Sequence, residues 1–134
     1  MSMKFSYKKY GPGFLRPVIP IEVIHKDIAV PYEVLVDSGA DFCIFDAEIA
    51  EILGIKIENG ERGEVAGITG INAPIYFHDI GIKIGGWVFK IRAAFLKEIG
   101  RFGYGVVGQI GFFDIFTVKF DLAKEEIELR ERKK

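Results

Sequence analysis

The stretch Val34-Leu35-Val36-Asp37-Ser38-Gly39-Ala40-Asp41 is a run of strand-forming apolar residues that ends in an acid, a hydroxyl, a glycine and a second acid. A strand of that composition ordinarily feeds apolar side chains to a core. A carboxylate is seldom left in such surroundings without a partner or a purpose. Asp37 is therefore the first candidate for chemistry. At a strand end a carboxylate can move a proton to or from water, or, together with Asp41, offer oxygen to a cation. Gly39 relaxes the backbone limits for a sharp turn. The plainer readings are that Asp37 folds an Asx turn after the strand and that Asp41 is an ordinary loop acid.

The rest of the composition narrows the chemistry. Cys43 is the only cysteine, so no intrachain disulfide forms, in keeping with a reducing compartment. Nothing near Cys43 suggests an activated thiolate, and it reads as a small core residue. His25 and His78 are the only imidazoles. A Ser-His-Asp or Cys-His mechanism has little to draw on, and no Cys/His spacing suggests zinc. Eighteen Lys and Arg nearly balance nineteen Asp and Glu, so no basic excess points to nucleic acid or an anionic membrane. The apolar runs are shorter than the ~20 residues of a membrane helix. A soluble, cytoplasmic protein of one domain over residues 1–134 is expected. Abundant Ile, Lys and Glu with few Asn and Gln resemble the hyperthermophile bias.

Strand signals must position the acid loop. Pro17 to Ile24 alternates, with Ile28 to Val36 as its partner across His25-Lys26-Asp27. Phe42 to Phe45 is a short extended run. Asp46 then reads as the N-cap of a helix from Ala47 to Leu53, closed by Gly54. Glu61 to Asp79 reads as a hairpin centred on Gly67-Ile68-Thr69-Gly70-Ile71-Asn72. That tip is either a tight turn or a mobile flap. Ile80 to Ile84 and Trp87 to Leu96 pair around Gly85-Gly86. Gly103 to Val107 is a strand ending at Gly108, Ile110 to Ile115 a short helix, and Val118 to Leu122 with Glu126 to Leu129 a last hairpin. The charged stretch Glu125 to Lys134 reads as a solvated edge and tail.

This order of parts resembles the retropepsin-like aspartic proteases, the single-domain retroviral type. The residues that carry it are Asp37-Ser38-Gly39-Ala40, the Gly67 to Gly70 tip and Val106-Val107-Gly108, in that order. It spans roughly Pro17 to Leu129. The resemblance implies an all-β fold: a closed acid-protease β-barrel with one or two short helices and a flap hairpin. It implies Asp37 as the catalytic carboxylate. Ser38 would brace two active-site loops, Gly39 would let the substrate backbone approach, and Ala40 would line the pocket. Asp41 would bind substrate backbone, with Ile68, Thr69 and Gly70 covering the peptide. Gln109 stands where retroviral members typically carry Arg. A glutamine can hydrogen-bond Asp41 but cannot neutralise it.

The chain carries one such acid motif, whereas the chemistry requires two carboxylates sharing a proton. The resemblance thus implies a homodimer with Asp37 facing its symmetry mate. The dimer would act as an endopeptidase on a peptide or protein substrate, with no metal or organic cofactor. Met1 to Phe14 and Glu125 to Lys134 are the segments available for interleaving, as termini do in retroviral relatives. The rival reading is a module of the same fold that dimerises or holds a peptide without cutting it.

Overall fold

The computed structural model describes residues 2–66, 72–97 and 103–132. Twelve strands and one α-helix account for most of them. β4 (Val18–His25) and β5 (Ile28–Val36) form an antiparallel hairpin in the register Val18↔Leu35 to His25↔Ile28. Its turn is tight because Lys26 adopts a φ of 53°. Alternation places Ile19, Ile21 and Val23 of β4, and Val30, Val34 and Val36 of β5, in the core.

β6 (Ile44–Asp46) leads directly into α1 (Ala47–Ile52). Asp46 caps that helix: its Oδ1 accepts from the Glu48 N–H at 2.9 Å. The helix stops at Leu53, and Gly54 follows with φ 76°. β7 (Glu61–Ala66) pairs with β8 (Asn72–Ile84), and β8 pairs with β9 (Trp87–Leu96) across the Gly85-Gly86 turn. β10 (Gly105–Val107) runs parallel to β5 and antiparallel to β6, while β6 runs parallel to β9. The resulting sheet has the order β4-β5-β10-β6-β9-β8-β7. Further pairing of Glu22–Ile24 on β4 with Gly81–Lys83 on β8 closes six of these strands into a ring. Phe45, Ile82, Ala93, Phe95 and Phe112 fill its interior.

A second, three-stranded sheet has the order β1 (Ser2–Ser6), β12 (Glu126–Glu131), β11 (Phe116–Asp121). Ile127 and Leu129 of β12 are fully buried, and Met3 and Phe5 of β1 pack against the same core. The segment expected to be a solvated edge is therefore the middle strand of a sheet. Between β1 and β4, β2 (Lys8–Lys9) and β3 (Leu15–Arg16) form a small hairpin.

Two expected elements take a different form. Ile80–Ile84 is no separate strand, since β8 runs unbroken through thirteen residues by pairing with β7, β9 and β4 in turn. Ile110 to Ile115 forms successive turns, with Phe113 N–H on Gly108 O and Asp114 N–H on Gln109 O. A helix cannot propagate there because Gly111 sits at φ 101°. Among the described residues no helix is long and apolar enough to cross a membrane.

Candidate active site

β5 ends at Val36, whose side chain is buried, and the next residue is the half-buried Asp37. The loop it opens is held by its own backbone. Ala40 N–H donates to the Asp37 carbonyl at 3.2 Å, and Gly39 N–H donates to Asp37 Oδ1 at 2.9 Å. One carboxylate oxygen is thereby fixed in direction by a backbone amide. A side chain at Gly39 would begin 3.3 Å from that same oxygen. Ser38 and Gly39 are exposed, Ala40 is half-buried and Asp41 is exposed.

The chain returns to this loop seventy residues later. Asp37 N–H donates to Val107 O at 3.0 Å, Gln109 N–H to Ala40 O at 2.8 Å, and Ile110 N–H to Asp41 O at 2.9 Å. Phe42 and Ile110 pair in parallel. The two segments lie so close that a Cβ on Gly108 would stand 2.4 Å from Ala40 O and 2.5 Å from Phe42 O. Only glycine fits there. The Val106-Val107-Gly108 motif is thus the backbone floor on which the acid loop rests.

Gln109 takes a different partner from the one expected. Its Nε2 donates to the Ser38 carbonyl at 2.9 Å rather than to Asp41. The neutral amide ties the two loops together instead of balancing a carboxylate. Cys43 is fully buried behind the loop, as its reading as a core residue required, and burial pushes its thiol up to about 12.

The remaining expected contacts are only partly in view. Ile68, Thr69 and Gly70 lie outside the described residues. The stems of their hairpin are in place, from Glu61↔Phe77 to Ala66↔Asn72. Phe77 of that stem meets Phe42 edge-on at 5.1 Å between ring centroids, so the hairpin is anchored to the acid loop. The β2–β3 hairpin, too short to show alternation, packs Lys8 on Glu33 and Arg16 on Tyr104. Pro17 O accepts from Val36 N–H at 2.9 Å, which brings Arg16 alongside the Asp37 end of β5. Gly11-Pro12-Gly13 flanked by Tyr10 and Phe14 was the available turn signal.

These parts match known proteins in both sequence and shape. The family model for aspartyl proteases matches residues 21–110, which include Asp37–Asp41 and Gly108. No curated protein sequence matches the chain significantly. Among solved structures, a retropepsin-like aspartic protease from Rickettsia conorii superposes with a TM-score of 0.68 at 16% identity. That match covers 96% of this chain and 98% of the other. EIAV protease complexed with the inhibitor HBY-793 gives 0.55 at 20% identity, over 76% and 88% of the two chains. The chain belongs to the aspartyl protease family, and its fold is the retropepsin-like one.

Proposed function

We propose that the protein is a homodimeric aspartic endopeptidase in which Asp37 and its symmetry mate form the catalytic pair. The observation that carries this reading is the fixed direction of the Asp37 carboxylate, held by Gly39 N–H on a loop braced from below by Val107 and Gly108. Two such carboxylates brought together across a twofold axis cannot both ionise, so they share one proton. The ionised member takes a proton from water as the oxygen attacks the peptide carbonyl. The protonated member donates to the carbonyl oxygen. The tetrahedral intermediate then collapses, the nitrogen leaves as an amine after gaining a proton, and no covalent enzyme intermediate forms.

In this reading Gly39 and Ala40 lie along the substrate backbone. Asp41 accepts from its N–H groups, and Ile68, Thr69 and Gly70 close over it as a flap. Ser38 braces the paired loops. One domain over residues 1–134 carries the whole half-site.

The test is cleavage of a peptide library by the wild type and Asp37→Asn from acidic to neutral pH. The substitution is nearly isosteric, so the dimer should persist while cleavage is lost. Full activity in Asp37→Asn would sink the assignment. A dimer that cleaves nothing at any pH would favour the peptide-holding module. Activity that survives chelators removes a metal reading of Asp37 and Asp41.

A further inference from the structure

A groove separates α1 from the stem of the β7–β8 hairpin. It has two chambers, of about 450 and 170 Å³, which share Ile57, Glu58 and Lys97 as walls. Neither chamber is lined by the acid loop or by β10. Strand register sets its floor. Asp46 at the end of β6 lies beside Leu96 of β9, and Phe95 of β9 lies beside Tyr76 of β8. The groove therefore crosses three adjacent strands. At about 4.8 Å per strand spacing this is roughly 10 Å, room for about three extended residues.

One wall is the 3-10 turn Ile57–Asn59, and it is seated on β8. His78 Nε2 lies 2.8 Å from Ile57 O, and a Cβ on Gly60 would clash with Phe77 O. The half-buried Ile55, Tyr76 and Leu96 and the exposed Pro74 give the groove apolar surface along its length. Its charge is uneven. Asp46, Glu48, Glu51 and Glu58 line the larger chamber, against Lys56 and Lys97. Asp46 is engaged in capping α1. Among the described residues, no cation pairs with Glu48, Glu51 or Glu58.

We propose that this groove is a docking site for a basic, extended peptide segment of a partner protein, separate from the Asp37 loop. The larger chamber falls within the roughly 300–1,000 Å³ of ligand clefts. A Lys or Arg side chain matches both features of the lining. Its methylene stem covers apolar surface while its charged head stays with the carboxylates. A cleft lined by an excess of one charge also concentrates the opposite charge. An acidic segment would meet four carboxylates and two ammonium groups. A peptide suits the groove better than a lone amine, because apolar surface continues through both chambers.

Fluorescence anisotropy with labelled acetyl-Lys-Leu-Lys-Leu-Lys-amide tests this. The full chain carries Asp37→Asn so that the probe stays intact. The probe should bind, more weakly as salt rises, and acetyl-Glu-Leu-Glu-Leu-Glu-amide should bind less well. Glu48→Lys with Glu51→Lys should weaken binding about tenfold, the effect of reversing two exposed charge contacts. Lys97→Gln should tighten it about twofold. Glu131→Lys, on the terminal sheet, should leave it unchanged. Amide NMR shifts on binding should cluster at Glu48, Glu51, Glu58 and Lys97. Circular dichroism verifies that each variant is folded, and the shift map with Lys97→Gln decides the matter if the double variant is not. No binding, tighter binding of the acidic peptide, shifts confined to Gly39–Asp41, or an equal loss in Glu131→Lys would each overturn the site. None of these outcomes bears on Asp37, since cleavage is not the readout.

Discussion

A single backbone amide, that of Gly39, aims the Asp37 carboxylate, and a single missing side chain, that of Gly108, lets the loop lie on its floor. The two glycines should fail differently. At Gly39 a methyl group presses on Asp37 Oδ1 from 3.3 Å. Gly39→Ala is therefore expected to lower kcat while shifting the urea midpoint little. At Gly108 the methyl meets two rigid carbonyls. Gly108→Ala should cost at least about 1–3 kcal/mol by urea denaturation, the usual range for overpacking, and should abolish cleavage with it. Cys43 gives a pH signature. Its thiol titrates at 9.0 when solvated and at about 12 in the fold, because burial disfavours the thiolate. The fold then binds a proton that the unfolded chain releases. Stability is fully present below pH 9 and falls as pH rises toward 12. At pH 10.5 the loss is about 2 kcal/mol, at 1.36 kcal/mol per pH unit. Cys43→Ala should flatten part of that fall. Tyr32, raised to about 12 mainly by burial, adds a second contribution above pH 10.

At the scale of elements, the short helix α1 depends on its first residue. Asp46 Oδ1 satisfies the Glu48 N–H, and Tyr32 Oη accepts from the Asp46 N–H at 3.1 Å. Asp46→Ala should cost about 1 kcal/mol and leave cleavage intact, measured by thermal melting beside a peptide assay. The helix packs Ala47, Ile49 and Ala50 into the core. The element that holds the acid loop is β10 with the residues that follow it. It brings Val107 and Gln109 against Asp37, Ser38 and Ala40.

Across the whole molecule, the ring of six strands and the three-stranded sheet share one core. Ile127 is fully buried in it although it comes from the last strand. Ile127→Ala should therefore destabilise the entire domain by about 2–5 kcal/mol, seen as one cooperative shift in urea rather than fraying of the C-terminal hairpin. A separate early transition of that hairpin would contradict a shared core. Because β1 lies on β12 within one chain, the terminal sheet forms without a second copy.

The residues alone were enough to place Asp37, the order of the acid loop before Gly108, the β4–β5 and β8–β9 hairpins and the Asp46 cap. Each rests on neighbours a few positions apart: alternation, a turn such as Gly85-Gly86 where both φ values are positive, or a cap two residues from its N–H. The seventy-residue return to the acid loop was legible only as a family motif. Tertiary structure decided the rest. It set β10 parallel to β5, joined β1 to β12 across most of the chain, and ran β8 unbroken through Gly81. It turned Ile110–Ile115 into a chain of turns, gave Gln109 to Ser38, and laid the Lys8–Arg16 hairpin against Glu33 and Tyr104. Strand partners and loop crossings depend on which edges and carbonyls remain free once every other segment is in place, and no local pattern records that.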